Sequence, residues 1–326
     1  MKKIIYILLL TLVATQLTDA QQMPVYSQYM YNKFLINPAA AGSEGYTSFN
    51  VTAREQWVGY AGAPRTYSLS YQTRFTKKKS GFRENIFGKS RYHAKTEGRT
   101  GLGLGVFSDQ NGLVQRTGFQ AAYSYHMWTG RTTQVSLGLA FTGYHFKINE
   151  KEINFEDPNE PWLNNNLRRG IFVPDADFGI YVLNPDFSFG FTSSQLFGAV
   201  ARIGGEGYRN YSMDRHYYLF GSYNFNADVK TEIQPSVLIM MSEQTKPMAD
   251  IGVTCNYDQK IWAGVSYRTS KALVANLGVR YTNLFIGYSY DFTLSEIQRL
   301  TFGTHELSLA VKFGDSARKY RWLDRY

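Results

Sequence analysis

A single cysteine among 326 residues, Cys255, excludes any disulfide within the molecule. Charge is scarce too, at 19% of residues against about 25% in soluble globular chains. Only five histidines occur, none paired at the spacing that sets two imidazoles on one helix face, so the sequence calls for no metal and no cofactor. Beyond residue 20 no apolar run approaches the ~20 residues that a membrane-crossing helix needs. Contact with lipid, if made at all, has to be made by strands.

The longest charge-free apolar stretch, Ile4 to Ala14, follows Met1-Lys2-Lys3 and precedes Thr18-Asp19-Ala20. A positive start, a short apolar middle and a small residue at the end form a secretory signal peptide, predicted to span 1–20. No cysteine follows it, which excludes a lipoprotein signal. Removing Lys2, Lys3 and Asp19 turns 35 basic and 26 acidic residues into 33 and 25, a net charge of +8. An exported chain of this kind does not meet nucleic acid, which is therefore not expected as a partner.

What the chain has in quantity is glycine (29), tyrosine (25) and phenylalanine (22). From Tyr46 to Phe313 apolar and polar residues alternate with period two, in runs separated by turn residues. Fourteen runs are predicted as strands, at 46-57, 65-75, 98-109, 115-128, 132-146, 172-183, 186-194, 214-226, 229-241, 247-257, 260-268, 272-282, 284-292 and 302-313. In the last, Leu307, Leu309, Val311 and Phe313 share one face and Glu306, Ser308, Ala310 and Lys312 the other. Trp57, Phe75, Trp128, Trp262 and Phe313 fall near run ends, as expected of aromatic girdles at the two membrane interfaces. Cys255 alternates with apolar neighbours and is expected to be a small packed hydrophobe. The predicted fold is all-β, a transmembrane antiparallel β-barrel of about 14 strands with an N-terminal plug-like segment. Its parts are a plug or lumen segment at 21–45, the outer-membrane barrel at 46–313 and a basic periplasmic tail at 314–326.

An even strand count returns the chain to its starting side, and the connections on that side should be the short ones. Thr129-Gly130-Arg131, Asn184-Pro185, Ala227-Asp228, Asp258-Gln259 and Asn283 comply, while 149–171 and 195–213 on the opposite side are long. The exception is 76–98, a basic loop where a tight turn belongs. Lys77, Lys78, Lys79, Lys89 and Arg91 in that loop, with Arg318 and Lys319 in the tail, are candidate partner-binding residues. A solvated or headgroup-contacting charge run is the equal alternative. On the inward faces, Arg54, Arg74, Asp109, Arg268, Arg280 and Asp291 are expected to form a polar network around the segment Pro24 to Gly42.

Catalytic readings do not survive strand geometry. His305 and Glu306 are adjacent on a strand and so point to opposite faces. Ser222 and His216 share a face but stand six residues, roughly 20 Å, apart. Gly101, Gly103 and Gly105 are spaced for an inward face against which something packs closely, not for a phosphate loop. No catalytic residue is assigned.

Tyr26-Ser27-Gln28-Tyr29-Met30-Tyr31-Asn32, Ile36-Asn37-Pro38-Ala39, Arg54-Glu55-Gln56-Trp57-Val58-Gly59 and Gly62-Ala63-Pro64 occur in that order. Arg215-His216-Tyr217, Pro235-Ser236, Gly264-Val265-Ser266-Tyr267-Arg268, Gly287-Tyr288-Ser289-Tyr290-Asp291 and His305-Glu306-Leu307 follow. This series, over essentially the whole mature chain, resembles the PorP/SprF family of type IX secretion membrane proteins. The resemblance implies an outer-membrane protein of Bacteroidetes serving type IX protein secretion and, in gliding members, the presentation of mobile adhesins. It implies as partners outer membrane lipid, periplasmic type IX secretion components, and an exported adhesin or a substrate C-terminal domain. The lysine-rich insertion after Phe75 and the tail beyond Phe313 fit its pattern less well. A plugged outer-membrane transport barrel for a hydrophobic or small solute is the alternative, since fold alone does not fix function.

Overall fold

The computed structural model describes residues 25–75, 99–130, 132–148, 170–198, 200–202, 210–212, 214–243 and 245–313. In chain order the strands are β1 (Thr47–Glu55), β2 (Arg65–Phe75), β3 (Thr100–Asn111), β4 (Val114–Thr129), β5 (Thr133–Ile148), β6 (Ile171–Leu183) and β7 (Phe187–Ser194). A small hairpin, β8 (Val200–Arg202) with β9 (Asn210–Ser212), interrupts the series. It resumes with β10 (His216–Tyr223), β11 (Phe225–Asn226), β12 (Thr231–Ser242), β13 (Met248–Tyr257) and β14 (Ile261–Arg268). The last three are β15 (Ala272–Tyr281), β16 (Leu284–Thr293) and β17 (Thr304–Phe313).

All strands except β8, β9 and the two-residue β11 are staves of one antiparallel barrel, fourteen in number. Each stave pairs with its neighbours in sequence. The ring closes where Thr47–Glu55 of β1 lies against Phe313–His305 of β17. Closure matters physically, because a sheet in lipid has no water to satisfy an open edge. The predicted runs coincide with the staves to within about three residues.

Alternation sorts the side chains. Leu137, Leu139 and Phe141 of β5, Leu273, Leu277 and Val279 of β15 and Leu307 and Leu309 of β17 are exposed on the outside. Their intervening neighbours point into the barrel. Such a belt of bare apolar side chains is tenable only against hydrocarbon. Cys255 sits on this outer face and is exposed, so the expectation of a packed thiol is corrected. Thiol and belt share a face because Cys255 alternates in phase with Ile251 and Val253. Phe75 and Phe313 are also exposed outside, but Trp128 and Trp262 point inward and do not join a girdle. Trp57 lies past the end of β1, with φ of 48°.

On the side of the barrel where β1 begins and β17 ends, the described turns after β6, β13 and β15 are tight, as expected, while the basic loop 76–98 on that side lies outside the described residues. Asp258 and Gln259 both take positive φ, 50° and 52°, in a turn closed by the Lys260 N–H on the Tyr257 carbonyl at 3.0 Å, a left-handed geometry whose twist matches a hairpin. The opposite, outer rim is uneven. β4 and β5 have 16 residues each, β7 and β10 only 8. Ile171 to Asp177 of β6 therefore pair with β5 alone. This overhang is blunted against strand addition: Pro174 has no N–H, Ala176 N–H bonds to the Asp175 carboxylate at 2.7 Å, and Ala176 O accepts from Leu196 N at 2.9 Å.

Inside runs the amino-terminal segment, residues 25–46. It holds two 3-10 turns, Lys33–Leu35 and Pro38–Ala40. Asn37 starts the second by accepting the Ala39 N–H at 2.8 Å, with Pro38 preset for the first position. The hydrophobic core of the protein lies between this segment and the wall. Tyr29, Ile36, Ala39 and Ala40 pack on Tyr181, Leu183, Tyr218, Phe220 and Leu238, while Phe34 and Ala41 pack on Ala122 and Ala140.

Glycines on the wall make room for it. A side chain at Gly103 would overlap the Phe34 ring, and one at Gly138 would overlap the Ala39 backbone. Gly138→Val is expected to cost about 1–3 kcal/mol, the usual penalty for overfilling a packed interior. Thermal unfolding in detergent checks this. Gly221→Ala, where the nearest atoms stand at 3.8 and 3.9 Å, should change stability by less than about 0.5 kcal/mol.

Candidate functional site

The inward face near the outer rim concentrates charge. Arg54 near the end of β1 reaches Asp291 on β16 at 2.7 Å and Glu306 on β17 at 3.0 Å. Arg268, the last residue of β14, reaches the same Asp291 at 3.0 Å and Asp250 on β13 at 2.9 Å. All five side chains are at most 5% exposed. Burying charges is expensive even when they are paired, so such a cluster fixes geometry more than it adds stability.

What it fixes is the amino-terminal segment. Ser27 Oγ donates to Asp291 at 2.9 Å and accepts from Arg54 at 2.8 Å and Arg268 at 3.1 Å. The backbone N–H groups of Ser27 and Gln28 donate to the two oxygens of Glu306 at 2.8 and 2.9 Å. One carboxylate thus satisfies two buried main-chain donors.

Further along, the segment is tied to nearly every sector of the wall. Tyr31 stacks on Trp262 with ring centroids 4.5 Å apart, which is why that tryptophan faces inward. Asn32 donates to Ser70 on β2 at 3.0 Å, and Lys33 to Tyr181 on β6 at 3.2 Å. Asn37 Nδ2 donates to the carbonyls of Ile180 on β6 and Phe191 on β7. The Ala41 carbonyl accepts from Ser124 on β4 at 2.6 Å, with His126 Nε2 3.1 Å away. The Ser43 carbonyl accepts from Gln134 on β5 and Arg74 on β2, and Arg74 also stands over the Trp128 ring. Because Ser27 meets the outer ends of its staves and Ser43 the inner ends, the segment runs the depth of the lumen.

The expected inward network is thus partly one cluster and partly three places. Arg54, Arg268 and Asp291 come together. Arg74 faces inward at the other rim. Asp109 pairs with Arg116 at 2.7 Å and accepts from Thr66. Arg280 has the inward register but does not enter the network: at the end of β15, its guanidinium bonds to the Thr282 carbonyl and lies over Phe285. Glu306, Asp250 and Ser27 complete the cluster and were not anticipated in it. Register alone places Asp250 inside, since Ile251, Val253 and Cys255 take the outer face.

Ser222 and His216 both face inward, but Ser222 bonds to Ser188 at 2.8 Å and His216 to Gln195 at 2.7 Å. His305 is outside, 2.7 Å from the Tyr288 hydroxyl, and Glu306 is inside. Among the described residues no group of three metal-ligating side chains converges. The candidate partner-binding residues Lys77, Lys78, Lys79, Lys89, Arg91, Arg318 and Lys319 lie outside the described residues, as does the expected signal peptide.

A closed ring of fourteen staves, apolar outside and lined within by charge and by its own amino-terminal segment, is an outer-membrane β-barrel. The family model for the type IX secretion system membrane protein PorP/SprF matches residues 18–311, and the chain belongs to that family. It is a membrane component of type IX secretion. No curated protein matches it. Solved barrels of similar outline include the Pseudomonas putida toluene transporter TodX, 9% identical with a TM-score of 0.45, covering 86% of this chain and 92% of that one. Another is the Acinetobacter baumannii outer membrane protein Omp33, 10% identical with a TM-score of 0.41, covering 83% and 100%. A third is the translocator domain of the Neisseria meningitidis autotransporter NalP, 7% identical with a TM-score of 0.41, covering 89% and 96%.

Proposed function

We propose that this barrel works by holding proteins and not by passing solutes or doing chemistry. It is a non-enzymatic component that binds periplasmic type IX machinery on its inner side. On its outer side it binds an exported surface protein or adhesin, supporting that protein's secretion or anchoring. The observation that carries this reading is the amino-terminal segment, hydrogen-bonded to β2, β4, β5, β6, β7, β16 and β17 inside the lumen. A wall so engaged with its own chain is a poor conduit. The bonded states of Ser222 and His216 argue in the same direction against a hydrolase.

The inner contact is assigned to the basic loop 76–98 and the tail, and the outer one to the long connections above β5–β6 and β7–β10. Purification from native membranes in mild detergent tests this. A stoichiometric protein partner is expected; a bound lipid or small solute with no protein partner would favour the transport alternative. Replacing Lys77, Lys78 and Lys79 by glutamine is expected to leave the barrel folded and heat-modifiable while lowering recovery of the periplasmic partner severalfold. Equal recovery would remove the loop from the interface.

A further inference from the structure

We propose that the cavity beneath the outer rim is a binding site for an alkylammonium group, either the lysine side chain of a polypeptide or a small free amine of the same chemistry. Five aromatic rings line the cavity, from Tyr26, Phe34, Phe107, Tyr144 and Tyr218, together with the carboxylate of Asp177. The rings come from the amino-terminal segment, β3, β5 and β10, and Asp177 from β6, so the pocket exists only because segment and wall are assembled together.

Charge selects the ligand. Asp177 is 5% exposed, and its hydrogen bonds are to neutral donors, the Gln195 N–H at 3.0 Å, the Gln120 amide at 3.3 Å and the Ser194 hydroxyl. It has no ion pair among the described residues. The other charged side chain in the lining, Arg116, stands 2.7 Å from Asp109, and that pair adds no net charge. The cavity therefore presents one uncompensated carboxylate amid aromatic faces. A carboxylate removed from water favours a cation close by, and ring faces attract cations through their quadrupoles. An anion would be repelled, and a neutral guest would leave the charge unmet. The same lumen already holds such a contact, with the Lys33 ammonium 5.6 Å from the centroid of the Tyr181 ring. The apolar sides of Leu35, Ile36 and Pro38 fit an alkyl stem behind the ammonium.

The site lies within this chain and is measured without any secretion partner, so its outcome is separate from that of the secretion reading. The test is calorimetric titration of the purified full-length protein in detergent with n-butylammonium, 1-pentanol and butyrate. Saturable binding of n-butylammonium is expected, about tenfold or more tighter than the alcohol, with no binding of butyrate. Asp177→Asn should weaken the ammonium about tenfold and leave the alcohol unchanged. Should that variant fail to assemble, Tyr218→Leu, which keeps the carboxylate and removes a ring, should weaken the ammonium severalfold. Nα-acetyl-lysine amide binding more tightly than n-butylammonium would assign the polypeptide as source, and the reverse order a small amine. Equal affinity for all three probes, no ammonium binding, or an ammonium affinity unmoved by both substitutions would overturn the proposal.

Discussion

Glu306→Ala is expected to lower the stability of the barrel by about 3–5 kcal/mol, the range found when one partner of a buried ion pair is removed. Three interactions fail at once. Arg54 loses a carboxylate at 3.0 Å, and the N–H groups of Ser27 and Gln28 lose their acceptors. A buried donor left unsatisfied costs about 1–3 kcal/mol by itself. Glu306→Gln keeps the shape and one carbonyl acceptor and should lose less. The exposed Glu296 is the control, and its alanine variant should differ from the parent by less than about 0.5 kcal/mol. Denaturation midpoints in detergent compare all three, and an alanine variant at position 306 as stable as the parent would show that the cluster does not anchor the segment.

Deleting residues 25–42 should have the larger functional effect. Every stave is hydrogen-bonded on both sides by other staves, so the ring keeps its backbone pairing without the segment. The lumen then loses Phe34, Ile36 and Pro38, and the polar wall that held Ser27 and Gln28 fills with water. In a planar bilayer the intact protein is expected to carry no steady current, and the deletion variant to open as a stable channel. A variant as silent as the parent would mean that the staves collapse inward or that another part of the chain closes the barrel. Glu306→Ala should give intermittent openings, because the outer end of the segment is released while Asn37 still holds β6 and β7 and the Ser43 carbonyl still holds the inner end.

The staves were legible in the sequence because one face of each meets lipid and must be apolar. The β17 run shows this best: Leu307, Leu309 and Phe313 are exposed outside and Glu306 is fully buried. Legibility fell where the inner face is also apolar. β6 reads as apolar on both faces, since Val173, Tyr181 and Leu183 pack inside the barrel. The alternation that would have singled out Asp175 and Asp177 is blurred there. Trp128 and Trp262 were misread for the same reason, an aromatic near a strand end being a girdle residue in an empty barrel and a platform in a filled one. The ion cluster was half visible, because Arg54, Arg268 and Asp291 have the inward register but their convergence depends on ring closure through β17, which makes β1, β16 and β14 next-but-one neighbours along the wall. Ser27 gave no signal of its own, standing outside any strand with nothing in its neighbours to mark it as the residue shared by two arginines and an aspartate.

The most direct measurement is of secretion itself. In a strain lacking this protein, quantitative proteomics of the cell surface and the medium is expected to show type IX cargo missing or strongly reduced. Export should be restored by the wild-type chain, and poorly by the chain with Lys77, Lys78 and Lys79 replaced by glutamine. Unchanged export of every type IX substrate in the deletion strain would contradict a role in secretion.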